Sequence, residues 1–132
     1  MAEKKLSGLE STKHYAQQSL FRIPVKRNGM LRQEKCQMCM TDDDVAILSG
    51  TSYDLQTSIP WPLLSTISIE PKNEEDFTVN VLNQKKKKYD KITFSSPKRS
   101  TVVCRLYYFK HMSNPSTSPL PPADPQDQAA DL

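Results

Sequence analysis

The stretch FRIPVKRNGMLRQEKCQMCMTDDDVAIL, residues 21–48, decides the fold of this 132-residue chain. Residues 20–25 have a strand-like pattern, and apolar side chains alternate with others over 36–40, as in a strand with one buried face. Between them, Asn28-Gly29 indicates a hairpin turn, because both residues tolerate a positive φ. The aspartate turn that follows leads into a third apolar segment at 45–48. The stretch therefore predicts an antiparallel hairpin continued by a third strand.

The rest of the chain extends this pattern and closes it with a helix. Strand-like segments follow at 59–69, 77–82 and 89–95. Ser95 or Ser96 could then cap a helix within 96–110, with Pro97 at its first position. The helix would place Val102, Val103 and Leu106 at one end of a barrel. We predict a mostly β fold, a barrel or sandwich of about seven antiparallel strands capped by one C-terminal helix.

Composition suggests three regions within one domain-sized chain. Residues 1–18 are polar with weak periodicity, which predicts a flexible or partly helical lead-in. Residues 19–111 hold the strands and the helix and form the domain. From His111 on, five prolines in 22 residues occur with Ser, Asp and Gln. This composition predicts a disordered Pro-rich tail over 112–132.

Charge is segregated along the sequence. Residues 13–35 carry six basic residues against Glu34 alone, and 85–110 carry nine against Asp90 alone. Between them, 42–76 holds eight acids and only Lys72. If the two basic stretches fold onto one face, their field draws the molecule toward polyanions.

Several functional classes have little support. No apolar run approaches the roughly 18–20 residues that span a bilayer, and Ala2 stands where myristoylation needs glycine, so we expect any membrane contact to be peripheral. Three cysteines form no disulfide framework, which fits a reducing, cytoplasmic location. Two histidines and three glycines supply no general base and no phosphate loop. We therefore predict no catalytic activity and no cofactor.

Each of two motifs allows both a structural interpretation and a functional one. Cys36-x-x-Cys39 has the spacing of half a zinc site, but residues three apart on a strand point to opposite faces. Cys104, His14 and His111 offer no paired spacing, so ordinary thiols are favoured over metal. Trp61 between two prolines could anchor a membrane or a partner, although a core position is favoured.

The basic hairpin is the candidate binding site. A phosphoinositide head group needs two or three cations that converge from adjacent strands. Candidate cations stand on both arms of the hairpin: Lys26, Arg27, Arg32 and Lys35. Auxiliary basic contacts could come from Lys13, Lys85, Lys86, Lys87 and Lys88. Such residues gain about 1 kcal/mol each near an anionic leaflet, which predicts weak, salt-sensitive binding to anionic phospholipids.

The order of these elements resembles the tail-homology-1 region of class I myosins, a pleckstrin-homology-like domain, over about residues 20–110. The matching segments are Arg27-Asn28-Gly29, 36–41, 42–48, 59–69, 77–81, Ser95-Ser96 and 102–107. The resemblance implies phosphoinositide binding by Lys26 and Lys35, with Arg27 and Arg32 in support, and partners from the actin cytoskeleton. Pro24 and Gln37 depart from the pattern. Without a motor, the resemblance implies a lone lipid-binding module or a remnant of a longer myosin-like chain.

Three alternatives stay open. The chain also resembles the N-terminal pleckstrin-homology-like domain of the endosomal J-domain protein of receptor-mediated endocytosis, through Thr12-Lys13-His14, Trp61-Pro62 and Ile67-Ser68-Ile69. That resemblance implies endocytic partners and brings Lys13 into a site for phosphatidylinositol 3-phosphate. A protein-interaction module would instead dock a peptide between a strand and the closing helix. Nucleic acid is disfavoured, because the lysine run has only Tyr89 for stacking. We expect a monomer.

Overall fold

The computed structural model describes residues 8–29, 31–113 and 124. Its strands are Phe21–Asn28 (β1), Gln33–Met40 (β2), Asp44–Ser49 (β3), Leu55–Pro60 (β4), Leu64–Ile69 (β5), Asp76–Asn83 (β6) and Lys88–Ser95 (β7). Helix α1, Gly8–Gln18, precedes them, helix α2, Arg99–Ser113, follows them, and a 3-10 turn at Trp61–Leu63 joins β4 to β5. The antiparallel strands form one sheet in the order β4-β3-β2-β1-β7-β6-β5. The predicted fold of seven antiparallel strands with one C-terminal helix is confirmed.

The first hairpin is paired along its whole length. Its register runs from Phe21 opposite Met40 to Asn28 opposite Gln33. The N–H of Gly29 donates to the carbonyl of Arg32 at 3.0 Å and closes the turn. Both strands extend further toward this turn than the apolar pattern indicated. The pattern marks only the buried part of a strand, whereas backbone pairing continues to the turn.

The core lies between the inner faces of the strands and α2. Apolar side chains from all seven strands meet Val102, Val103 and Leu106 of the helix there. Trp61 is 1% exposed, and its Nε1 donates to the carbonyl of Thr41 at 2.8 Å. Trp61 therefore belongs to the core rather than to an exposed anchor.

Helix α2 begins later and ends later than predicted. The Ser96 hydroxyl accepts the N–H of Lys98 at 3.0 Å, and its carbonyl accepts that of Arg99 at 3.1 Å. Pro97 and Lys98 form a turn ahead of the helix. Ser96 therefore stabilises the turn that precedes α2, and the prediction of Pro97 as the first helical residue is wrong, because regular helix begins at Arg99 and continues to Ser113.

The segment predicted as a flexible or partly helical lead-in contains a docked helix. Within α1, Tyr15 is 3% exposed and packs with Cys39, Ala46 and Leu48 on the outer face of β2 and β3. Its hydroxyl donates to Asp44 Oδ2 at 3.4 Å. One aromatic residue therefore anchors the helix in a segment whose average composition is polar.

Part of the segment predicted as a disordered tail is also attached to the domain. Asp124 is 5% exposed and bonds Arg99, which is 1% exposed. The carboxylate accepts from Arg99 Nε at 3.1 Å and from Nη2 at 2.9 Å. Because an unpaired buried guanidinium would be costly, Asp124 belongs to the folded unit. The other residues of the predicted tail beyond Ser113 lie outside the described residues.

Candidate anion-binding site

A cavity of about 630 Å³ lies beside the first hairpin, where β1 approaches the segment between β7 and α2. Its walls come from β1, β2, the β3–β4 turn, the β5–β6 loop and residues 95–98. Lys26, Lys35 and Lys98 are the cations of these walls, and Glu75 is the acid. The two basic stretches of the sequence therefore meet at this cavity.

Two prolines explain why the cavity exists. Strand β1 pairs with β7 at only two positions, Lys26 opposite Ser95 and Arg27 opposite Phe94. Continued in the same register, the ladder would set Pro24 opposite Pro97. Neither proline has an N–H to donate, so the pairing ends there. The chain then turns toward α2, and the space between the two segments forms the cavity, with both prolines in its walls.

Lys26 and Lys35 occupy directly opposite positions of the β1–β2 ladder. Both are exposed, and they alternate with the buried neighbours Val25 and Cys36, so they lie on the face away from the core. Directly opposite residues have Cβ atoms about 4.5–5.5 Å apart, and like charges at this spacing repel. The pair therefore concentrates positive charge at the cavity wall.

Lys98 brings a third cation from a distant part of the sequence. It lies in the turn before α2, so the N-terminal end of this 15-residue helix borders the cavity. The helix dipole gives that end a partial positive charge, which favours anions. Lys98 is not among the site residues predicted from the sequence. Its proximity to Lys26 depends on the β1–β7 register, which no local pattern reveals.

A polar network fixes the hairpin to β7 beside these cations. Gln33 Nε2 donates to Asn28 Oδ1 at 2.8 Å and to Ser95 Oγ at 3.3 Å. Ser95 Oγ in turn bonds Asn28 Oδ1 at 3.1 Å and the Asp76 carboxylate. These bonds join β1, β2, β6 and β7, so the hairpin is held in a defined position at the cavity.

The β3–β4 turn closes one side of the cavity because it contains Gly50. The N–H of Gly50 donates to the carbonyl of Lys35 at 2.8 Å. A Cβ at this position would lie 2.7 Å from that carbonyl oxygen, closer than real Cβ contacts allow. Only glycine lets the turn approach the backbone that carries Lys35.

The remaining candidate cations do not line this cavity. Arg27 is half-buried, and its Nη1 lies 3.5 Å from Thr57 Oγ1. Arg32 is exposed at the hairpin turn, and Lys13 is exposed on α1. The lysine run 85–88 occupies the β6–β7 turn and the first residue of β7. At about 3.3 Å per residue, Lys88 is roughly 23 Å from Ser95 along that strand.

The two cysteines of the hairpin do not converge. Cys36 belongs to the main core and Cys39 to the cluster beneath α1, on the other face of β2. Burial raises the pKa of both thiols above the ordinary value. Among residues 8–29, 31–113 and 124, no three His, Cys, Asp or Glu side chains come together as a metal site. No helix in the same residues has the length and apolar character to cross a bilayer.

A second, apolar groove of about 320 Å³ lies at the far end of the hairpin. The residue before β1, the β2–β3 turn and the last turns of α2 form it. Leu20, Tyr108 and Met112 line it and are more than half exposed, at 56%, 52% and 61%. Asp42 adds a carboxylate at its edge.

Neither a protein-family model nor a curated protein sequence matches this chain significantly. Solved structures do. The PDZ-RhoGEF DH/PH fragment in complex with activated RhoA has a TM-score of 0.63 at 7% identity and covers 73% of this chain, which spans only 30% of that fragment.

Two free-standing domains match over nearly their whole length. The Slm1-PH domain in complex with inositol-4-phosphate has a TM-score of 0.54 at 9% identity, over 74% of this chain and 99% of its own. The PH domain from PfAPH has a TM-score of 0.56 at 15% identity, over 79% and 92%. At such low identities the likeness concerns the fold, and the resemblance to class I myosin tails or to the endosomal J-domain protein stays a hypothesis. With the seven-stranded sheet and its closing helix, these comparisons show that the chain has a pleckstrin-homology-like fold.

Proposed function

We propose that this chain is a non-catalytic, peripheral membrane-binding module that recognises phosphoinositide and other anionic lipid head groups. The observation that carries the proposal is the directly opposed Lys26–Lys35 pair, which shares one cavity with Lys98. Like charges at cross-strand spacing are unfavourable on their own. A bound phosphate would relieve their repulsion, and each ammonium group offers three hydrogen-bond donors to phosphate oxygens.

The residue types in the wall bear on selectivity. Lysine acts as a point charge on a flexible stem, whereas arginine forms a planar fork that fits particular arrangements of oxygens. The cavity cations are all lysines, and Gln37 occupies a wall position where another cation could stand. We therefore expect affinity to follow the total negative charge of the head group more than the positions of its phosphates.

The comparisons support the proposal at the level of the fold. Slm1-PH is a protein of similar fold crystallised with inositol-4-phosphate. The cytoplasmic leaflet carries a negative surface potential that attracts basic segments. Because of this attraction, we expect the chain to act as a monomeric module at the cytoplasmic face of a membrane, as the resemblance to class I myosin tails implies. The exposed lysines 85–88 would add attraction that falls off within a Debye length of about 8 Å.

Vesicle sedimentation tests the proposal. The wild-type domain should pellet at low salt with vesicles of phosphatidylcholine and phosphatidylserine, and more strongly when they contain a phosphoinositide. The variant Lys26→Glu/Lys35→Glu should lose this binding while its melting temperature stays nearly unchanged. The matched control Lys85→Glu/Lys86→Glu changes net charge equally but lies outside the cavity, so it should weaken binding only moderately. Equal losses in both variants would contradict a site at the hairpin.

One observation favours a second candidate, a protein-docking module. The apolar groove lined by Leu20, Tyr108 and Met112 ends at the Asp42 carboxylate. These features fit a partner segment that carries an apolar anchor next to a basic residue. If the wild-type domain does not pellet with phosphoinositide vesicles at low salt, this function replaces the first.

A further inference from the structure

A third cavity, of about 320 Å³, lies on the outer face of the sheet between α1 and the β3–β4 turn. Five segments each contribute one residue to its walls, namely Thr12 of α1, Arg22 of β1, Gln37 of β2, Leu48 of β3 and Tyr53 of the turn. Leu48 is 1% exposed and supplies an apolar surface, whereas the other four residues carry polar groups. Binding pockets have this composition, in which a few polar groups orient a ligand on an apolar surface.

The charge of these walls selects one kind of anion. Arg22 is the one charged residue among the described residues of the walls, and it forms no salt bridge within residues 8–29, 31–113 and 124. The amide of Gln37 and the hydroxyl of Tyr53 add neutral donors. The planar fork of a guanidinium matches a carboxylate and donates two parallel hydrogen bonds to it. A phosphate carries about −1.5 to −2 charge at pH 7, which one guanidinium cannot neutralise, so the walls fit a carboxylate better.

The β3–β4 turn holds Tyr53 at the cavity in an unusual backbone conformation. Its φ is 60°, in the left-handed region that a bulky residue seldom adopts. The Ser49 hydroxyl accepts the N–H groups of Thr51 and Ser52 at 3.2 Å each. The N–H of Tyr53 donates to the Ser49 carbonyl at 3.1 Å. Because these bonds fix the turn, a ligand can contact Tyr53, which is 44% exposed, without the cost of ordering a loose loop.

We propose that this cavity docks an acidic segment of a partner protein. The carboxylate of a glutamate or aspartate pairs with Arg22, and an apolar group next to it in the segment lies against Tyr53 and Leu48. Arginine and tyrosine are two of the residue types that contribute most to binding energy at protein interfaces. Both are exposed here, beside a buried leucine that offers an apolar contact.

This docking site goes beyond the proposed lipid function and does not depend on it. Arg22 and Lys26 lie four residues apart on the same face of β1, so roughly 13 Å separates them. Gln37 belongs to the walls of both cavities. A head group at the Lys26–Lys35 pair and an acidic segment at Arg22 can therefore bind side by side, and the chain would then link a membrane to a partner.

A labelled peptide of alternating leucine and glutamate is the probe, and the same peptide with glutamine in place of glutamate is its counterpart. The wild type should bind the glutamate peptide about tenfold more tightly, as expected for a charge-assisted pair. Arg22→Gln should lose this preference, and Arg22→Lys, which keeps the charge without the fork, should retain part of it. The backbone NMR signals of Thr12, Gln37 and Leu48 should shift when the peptide is added.

A second variant separates binding from folding. Tyr53→Gly removes the aromatic side chain but suits a positive φ, so it should weaken peptide binding without lowering the melting temperature. Lys87→Gly is the matched control, because Lys87 also has a positive φ, of 53°, in the β6–β7 turn outside the cavity. It removes one positive charge, as Arg22→Gln does, and should change peptide binding little.

Four results would overturn the docking site. These are equal weakening in Arg22→Gln and Lys87→Gly, equal binding of the glutamate and glutamine peptides, and displacement of the peptide by a soluble inositol phosphate, which would place it at the lysine pair. The fourth is binding of a phosphoserine version of the peptide alone, which would assign the cavity to phosphate. A wild-type domain that binds the glutamate peptide but no phosphoinositide vesicles would exclude the proposed function and leave this site standing.

Discussion

Lys26 and Lys35 stand directly opposite one another across the first hairpin, on the face that points away from the core. In a strand pair whose stability alone mattered, this position would suit opposite charges better. The repulsion between the two ammonium groups is unfavourable for the free domain, and an anion bound between them would relieve it.

Neutralising one lysine should separate stability from binding. We expect Lys35→Gln to raise the melting temperature slightly, by about 1–2 °C, because it removes a cross-strand repulsion. The same change should weaken binding to phosphoinositide vesicles. Thermal unfolding and sedimentation of one preparation measure both effects. A variant that loses both stability and binding would show that Lys35 acts mainly in folding.

Removing the acid of the cavity should strengthen binding. The Glu75 carboxylate repels phosphate, and two charges 4 Å apart in water interact by about 1 kcal/mol. We expect Glu75→Gln to bind phosphoinositide vesicles about two- to fivefold more tightly. Glu74→Gln changes net charge equally at an adjacent residue outside the cavity wall and should have a smaller effect. Equal gains would show that only net charge matters.

Asp124 should contribute to stability far more than its place in the sequence suggests. It pairs with Arg99, whose Nη1 also donates to the carbonyls of Glu70 at 3.1 Å and Asp76 at 3.2 Å. Removing one partner of a buried ion pair costs about 3–5 kcal/mol. We expect Asp124→Ala to lower the free energy of unfolding by about 3 kcal/mol, as measured by urea titration.

The control for Asp124 is an exposed aspartate. Asp54 lies in the β3–β4 turn, and Asp54→Ala should shift the urea midpoint little. Truncation after Ser113 should destabilise the domain about as much as Asp124→Ala. Wild-type stability in both altered proteins would mean that Asp124 contributes nothing to the fold.

The attachment of α1 should weaken at alkaline pH. Burial, together with the nearby Asp44 carboxylate, raises the pKa of Tyr15, and burial raises that of Cys39 from 9.0. Groups with a raised folded-state pKa hold more protons in the native state, so their stabilisation is complete below the unfolded pKa. It is then lost as pH rises further. We expect the urea midpoint to fall as pH rises above about 9, where the Cys39 thiol would ionise in the unfolded chain, and more steeply above about 10, where Tyr15 would ionise as well.

Tyr15→Phe tests whether this fall comes from α1. The variant retains the aromatic packing but removes the ionisable hydroxyl, so its urea midpoint should fall less steeply than that of the wild type above pH about 10. Lys110 acts in the opposite direction, because burial lowers its pKa. Its contribution is common to both proteins and cancels in the comparison. Identical pH profiles would place the alkaline loss elsewhere.

Period-2 patterns predicted the buried strands well and the polar ones poorly. The sequence predicts one strand-like segment over 59–69. The structure instead divides these residues into the end of β4, a 3-10 turn and β5. Most of β4, over 55–58, carries three polar residues and gave no apolar signal. Its place in the sheet comes from pairing with β3, which exists only in three dimensions.

Only part of the candidate site could be predicted, again because long-range strand pairing leaves no local signal in the sequence. Lys26 and Lys35 follow from local alternation, and the structure places both at the cavity. That same alternation puts Arg27 on the other side of β1 from Lys26, where its Nη1 lies 3.5 Å from Thr57 Oγ1. Lys98 depends on the long-range β1–β7 register. The anchoring residues Tyr15 and Asp124 are single side chains in polar segments, and averages over composition conceal them.

The two prolines at the end of the β1–β7 ladder have a kinetic consequence. Since neither Pro24 nor Pro97 can donate a backbone hydrogen bond, the ladder cannot extend and close the cleft between them. A head group that binds as proposed would therefore meet an open site, and no gating step should precede binding. Association should then follow a single exponential, at a rate set by diffusion and electrostatic steering and lowered by salt.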